Sequence, residues 1–239
     1  MPDRPRSPAL RLGFGAAVAT TVLTFITFAL ALTALPNEEP YPFATETIVS
    51  QWPGDYLWMI PAMLLLLSFV VLVAALHDLA HPGRRVFSLV ALSLAIMAAT
   101  VLLIDYFLQF TVMQLNLEKN QLDGWALWTQ YNPNGVFIAL EELGYLLMSL
   151  ALLSLAPLFG GGGAVTAVLR ATLVLNFFAV LAALVVVSLM QGMDRGDDFE
   201  IAVITVVWLT LLIAGPLLAI LLRRDPLPFP QLQERGVHR

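Results

Sequence analysis

Three carboxylates interrupt stretches that are otherwise nearly all apolar: Asp105 in IDYFLQF, and Glu141 and Glu142 in VFIALEELGY. Tyr106 and Gln109 accompany the first, Tyr145 follows the second pair, and the connector between them carries Trp125, Trp128 and Tyr131. Residues of these types support four kinds of chemistry. Paired carboxyls can share a proton or hold a metal cation. With aromatic faces nearby they can hold a small organic cation, and as an acid and a base they can catalyse proton transfer. The fourth has the least support, because no serine–histidine pairing, HExxH or GxSxG pattern accompanies the acids. No residue is assigned a catalytic role, and no cofactor is called for.

Other chemistry-bearing types are sparse. His77 and His81 are four residues apart, which places two imidazoles on one helical face, but zinc needs at least a third protein ligand. The remaining histidine is His238, so the pair is a weak metal candidate beside Pro82 and Gly83, which end a helix. Cysteine is absent, which removes thiolate metal sites, thiol nucleophiles and disulfides. The glycines at 160–163 lack the lysine and the serine or threonine of a phosphate loop. No basic stripe is available for nucleic acid.

The elements that must position the acids follow from hydropathy. Of 239 residues, 59% are hydrophobic and 12% charged, about half the charged share of an ordinary soluble domain. Apolar runs recur at a length that spans a bilayer, which needs about 20 residues. Six segments qualify, over residues 12–35, 56–76, 86–113, 136–158, 165–190 and 201–222. The fold class expected is all-α, a six-helix transmembrane bundle occupying residues 1–224 as one domain, with a polar, mobile tail at 225–239. The first segment is longer than the roughly 7–15 apolar residues of a cleaved signal, so it reads as a retained span.

Lys and Arg set the orientation. Ten of the twelve fall on one side if both termini are cytoplasmic, with Lys119 and Arg195 opposite. The plasma (inner) membrane is the expected location. Trp52, Tyr56 and Trp58 then read as an interfacial aromatic belt. Thr20, Thr24 and Thr27 share one face of the first helix and read as a packing surface.

In this frame the acids lie at a similar depth. Counting outward from Arg84 and Arg85 places Asp105 in the outer part of the membrane, with Gln109 one turn beyond. Asn132 as N-cap and Pro133 as first helical residue start the fourth segment. Glu141 and Glu142 then lie roughly 10 Å below that start. The short connector makes the third and fourth segments antiparallel neighbours. Asp105 and Glu141 or Glu142 are therefore expected to line one outward-facing pocket between them, with Glu141 preferred because Tyr145 stands one turn below it. Glu141 and Glu142 are about 100° apart around the helix, so one of them must face elsewhere. No Lys or Arg matches their depth unless Lys119 or Arg195 dips inward. The solutions left are protonation, hydrogen bonding or a bound cation.

Three functional readings stand. The first is a small transporter or ion- or solute-binding protein, with a proton, metal cation or small organic cation as ligand, and Tyr106, Trp128 and Tyr131 beside the acids. The second is a non-catalytic scaffold or accessory subunit whose intramembrane polar groups are packing glue, with a membrane-protein partner or a second copy. The third is a lipid-modifying enzyme.

Overall fold

The first helix begins where Ser7 accepts a hydrogen bond from the Leu10 amide at 3.3 Å, and Pro8 fills the first turn, where its missing N–H is not needed. The structure, a computed structural model, describes residues 7–34, 42–160 and 163–223. The expected tail at 225–239, His238, and the middle of the glycine run lie outside the described residues. In chain order the helices are α1 (Pro8–Thr33), α2 (Thr45–Ser50), α3 (Met59–Asp78), α4 (Arg85–Leu108), α5 (Gln114–Glu118), α6 (Trp125–Trp128), α7 (Val136–Leu155), α8 (Ala164–Gln191) and α9 (Asp198–Arg223). A π-helical stretch, Gln109–Met113, joins α4 to α5 without a break.

The fold is all-α, with no strand among the described residues. Six stretches are long and apolar enough to cross a membrane: Pro8–Thr33, Gly54–Asp78, Pro82–Glu118, Val136–Leu158, Ala164–Gln191 and Asp198–Arg223. The chain thus has the helices of a multi-pass membrane protein.

Packing closes five of these helices into a ring, in the order α1, α3, α4, α7, α9 and back to α1, with α8 laid across α7 and α9. Small residues permit the close approaches. A Cβ on Gly13 would lie 3.2 Å from Ala75 of α3, and one on Gly215 would lie 2.1 Å from the Thr21 hydroxyl of α1. A Cβ on Gly144 would lie 2.4 Å from the Cγ of Leu102, so α7 and α4 touch almost backbone to side chain there. The threonine face of α1 packs as expected: Thr20, Thr24 and Thr27 are fully buried, Thr24 bonds back to the Thr20 carbonyl, and the Thr20 hydroxyl meets Ser68 of α3 at 3.2 Å. The two ends of the described chain meet, with the Arg223 guanidinium 5.5 Å from the centre of the Phe14 ring.

Several boundaries differ from those read in the sequence. The third span runs 37 residues, Pro82–Glu118, roughly 55 Å at about 1.5 Å per residue. That exceeds a hydrocarbon core of about 30 Å, so its far end projects as α5. The α7 helix starts at Val136, not at Pro133, because Asn132 closes a turn instead of capping. Its Oδ1 accepts from the Asn134 amide at 3.0 Å and its Nδ2 donates to the Ala126 carbonyl at 2.8 Å. Tyr56 and Trp58 are buried against other rings and do not form an exposed belt. The sixth span begins at Asp198, three residues before the sequence boundary, and that shift brings Glu200 into the bundle.

Candidate functional site

The acids are positioned by the contact between α4 and α7. Gly144 lets Leu102 press against the α7 backbone, and one turn further along α4 the Tyr106 ring reaches across to α7. Its hydroxyl donates to Glu141 Oε1 at 2.5 Å. Tyr106 has spent its one proton on the carboxylate, so the Tyr145 hydroxyl, 3.1 Å away, donates to Tyr106. The Trp208 indole N–H in turn donates to the Tyr145 oxygen at 3.2 Å. A directional chain therefore runs Trp208, Tyr145, Tyr106, Glu141, crossing α9, α7 and α4 and ending on a carboxylate. All four side chains are buried, Glu141 completely.

Glu141 has company that sequence reasoning missed. Glu200, at the start of α9, is a direct side-chain neighbour of Glu141, and Asp105 lies within electrostatic reach of both. Asp105 Oδ2 has no hydrogen-bond partner among the described residues, and Glu141 Oε2 meets no N–H or hydroxyl there, the Glu141 side chain being left with the Glu200 carboxyl beside it. Buried polar atoms are nearly always paired, so a cluster with an orphan oxygen and two facing carboxyls demands an account. Glu142 points the other way, as the 100° offset requires, and forms an ion pair with Arg195 from the segment before α9. Arg195 also stacks on Phe199, its guanidinium 5.4 Å from the ring centre.

A cavity of about 270 Å³ opens beside the cluster, at the end of the bundle away from Arg223. Glu141, Glu200, Asp197, Gln130 and Thr205 supply its polar groups, and Phe28, Trp58, Phe137 and Trp208 its aromatic walls. Gln130 is buried, with its side chain beside the Tyr56 hydroxyl. The rings stand at steep angles to one another. Phe28 meets Trp208 at 68° with centres 5.6 Å apart, and Trp58 meets Trp208 at 64° with centres 6.2 Å apart. The site is thus enclosed by α1, the start of α3, α7 and α9. Asp105 stands behind Glu141 and does not line it.

The other residues singled out in the sequence do different work. Gln109 holds the connector, donating to the Trp128 carbonyl at 2.9 Å and accepting from the Gln130 amide at 3.3 Å. Trp128 offers that backbone carbonyl while its ring is partly exposed in a separate groove with Trp125. Tyr131 donates to Asp55 Oδ2 at 3.0 Å. Burial, then the nearby Tyr56 and Asp55, push its hydroxyl above the ordinary tyrosine pKa. His77 and Ser88 hydrogen-bond at 2.8 Å, while His81 Nδ1 accepts from the Gly83 amide and caps a 3₁₀ turn. Among the described residues no group of three or more His, Asp or Glu is arranged to hold a metal ion.

The missed residues had a faint signal. Glu200, Ile204 and Trp208 recur every four residues and so share one helix face. A boundary placed at Ile201 left Glu200 among loop acids. Trp58 and Phe28 carried no signal, since their roles depend on which helices become neighbours.

No family model, curated protein or solved structure matches the chain.

Proposed function

We propose that the chain is a small membrane transporter or solute-binding protein that takes a cation into the cavity walled by Glu141 and Glu200. The carrying observation is Glu141 itself: a fully buried carboxyl on the wall of a cavity, one oxygen held by Tyr106 and the side chain otherwise facing a second carboxyl, Glu200. Buried carboxylates that repel one another need a compensating positive charge, supplied by a proton or a bound cation. Among the described residues, the guanidinium nearby, Arg195, is already paired with Glu142. Following the Lys and Arg distribution, the cavity faces outward from the plasma (inner) membrane. Cysteine labelling in this cysteine-free chain tests that orientation: Asn120→Cys should react with an impermeant thiol reagent added outside, and Gly83→Cys should not.

Tryptophan emission gives the test of binding, because Trp58 and Trp208 line the cavity. Purified protein in mild detergent is titrated with acid, sodium, potassium, choline and guanidinium. The expected result is a saturable change with at least one cation in wild type that is lost in Glu141→Gln. An unchanged signal across the panel, or an equal response in the variant, overturns the reading.

The scaffold reading keeps one specific support. Ser149, Asn176 and Thr210 form a hydrogen-bonded chain across α7, α8 and α9, at 2.8 and 2.9 Å. Such contacts are packing glue worth about 0.6–2 kcal/mol each. A stable membrane partner recovered at fixed stoichiometry, with no cation response, would favour it.

A further inference from the structure

The geometry points to a substituted ammonium ion as the ligand of this cavity, its charge on Glu141 and Glu200 and its alkyl surface caged by Trp58, Trp208 and Phe28. This inference rests on the cation reading above and narrows it to one ligand class. A small inorganic cation gives up its water only where several oxygens replace it. Here the wall offers three carboxyls, from Glu141, Glu200 and Asp197, among aromatic and aliphatic carbon, and no group of described residues has the geometry of a metal site. An alkylated ammonium has the opposite needs. It is weakly hydrated, spreads its charge over its carbon atoms, and binds best to aromatic faces, tryptophan above all.

The walls are built for that cage. Trp208 is fixed in orientation by its bond to Tyr145, and both Trp58 and Phe28 meet it at more than 60°, so the three rings form adjoining sides of a box. Trp58 is held in turn by an edge contact with Tyr106, the residue that grips Glu141 Oε1. Glu141 Oε2, which meets no N–H or hydroxyl among the described residues, is left with Glu200 as acceptor for the cation, and the Gln130 amide on the same wall can present a polar group to a neutral oxygen such as a hydroxyl. A volume near 270 Å³ sits just below the range of about 300–1,000 Å³ usual for drug-sized ligands, which suits a small amino alcohol.

Choline is the probe, set against its uncharged isostere 3,3-dimethyl-1-butanol and against potassium. Binding to the full-length purified protein is measured calorimetrically, with Glu141→Gln, Trp208→Phe and Trp208→Leu beside wild type. Choline should bind saturably, the alcohol at least tenfold more weakly, and potassium should not compete at equal concentration. Trp208→Phe should keep affinity within a few-fold, and Trp208→Leu should lose about tenfold or more. If potassium competes equally, or Trp208→Leu binds choline as wild type does, the aromatic cage is wrong while the cation site stands. If the alcohol binds as well as choline in wild type, charge does not select the ligand, and this holds even where a variant fails to fold. If none of the probes binds and acid leaves the tryptophan emission unchanged, both readings fall.

Discussion

Tyr106 of α4 donates its hydroxyl to Glu141 of α7 at 2.5 Å, and this single bond ties α4 to the carboxyl on the cavity wall. Both residues are fully buried, and beyond Tyr106 the Glu141 carboxyl has only the Glu200 carboxyl beside it. Removing the tyrosine hydroxyl therefore strips Glu141 of a hydrogen bond it cannot replace from water. Tyr106→Phe keeps the ring and its contacts with Trp58 and Phe137, so the loss isolates the bond. A destabilisation of about 1–3 kcal/mol is expected. Glu141→Gln should cost less, since an amide oxygen still accepts from Tyr106. Thermal unfolding in one detergent checks the order, and Tyr106→Phe at or above wild-type stability would contradict it.

The approach that makes this bond possible depends on Gly144. A methyl group there would lie 2.4 Å from Leu102 Cγ, a fully buried side chain with little room to turn. Gly144→Ala should cost about 1–3 kcal/mol by overpacking. Trimming the obstacle should relieve it, so the double variant Gly144→Ala with Leu102→Ala should be clearly more stable than the sum of the two single losses predicts. Strict additivity would show that α4 and α7 separate freely and that the glycine does not set their spacing.

How much of this site was legible depends on the distance over which each cue acts. The six apolar runs and the divergence of Glu141 from Glu142 follow from local periodicity, and the structure has the helices and the divergence. An ion pair for either acid depends on Lys119 or Arg195 dipping inward, and Arg195 does so to meet Glu142. Glu200 was not read, because hydropathy windows stop where charges accumulate and the stretch DRGDDFE looks like loop. Its burial comes from α9 beginning at Asp198 and packing beside α7. The cavity was expected between α4 and α7. That seam is closed by Gly144 and Leu102, so the opening lies instead on the α1 and α9 side of Glu141. Trp128 and Tyr131 were cation–π candidates by proximity in sequence. The rings that line the cavity come from α1, the turn before α3, α7 and α9, a grouping that only tertiary packing creates.

Tyr131 gives the chain an alkaline limit outside its spans. Burial, with Tyr56 and Asp55 nearby, raises its hydroxyl pKa in the folded chain above the value near 10 expected when unfolded. Below about pH 10 both states keep the proton and the contribution is fully present. Above that, the unfolded chain releases a proton that the folded chain retains, so stability falls as pH rises. The slope from this group reaches about 1.4 kcal/mol per pH unit. Tyr131→Phe starts lower, because Asp55 loses its donor, but should lose less between pH 9 and 11. Unfolding curves across that range decide it, and parallel declines would remove Tyr131 as the cause.

Arg195 is the cation nearest the acid cluster, and its removal predicts a change of sign between stability and binding. The pair with Glu142 is partly exposed, with side-chain accessibilities of 30% and 12%, so Arg195→Ala should cost no more than about 1 kcal/mol. Binding should move the other way. Glu200 already feels the charge of Glu142, and without Arg195 that charge is uncompensated. A cation in the cavity then loses one repelling neighbour, while the attraction of Glu142 remains. Across a separation on the order of 10 Å, in a medium between protein and water, the gain is on the order of a few-fold in affinity. Because part of the field passes through solvent, the gain should shrink as salt rises from about 0.01 to 1 M. Choline titrations of wild type and Arg195→Ala at both salt concentrations measure it. Weaker binding in the variant at low salt would mean that Arg195 serves the site by holding the start of α9 in place, and that its charge is not what the ligand feels.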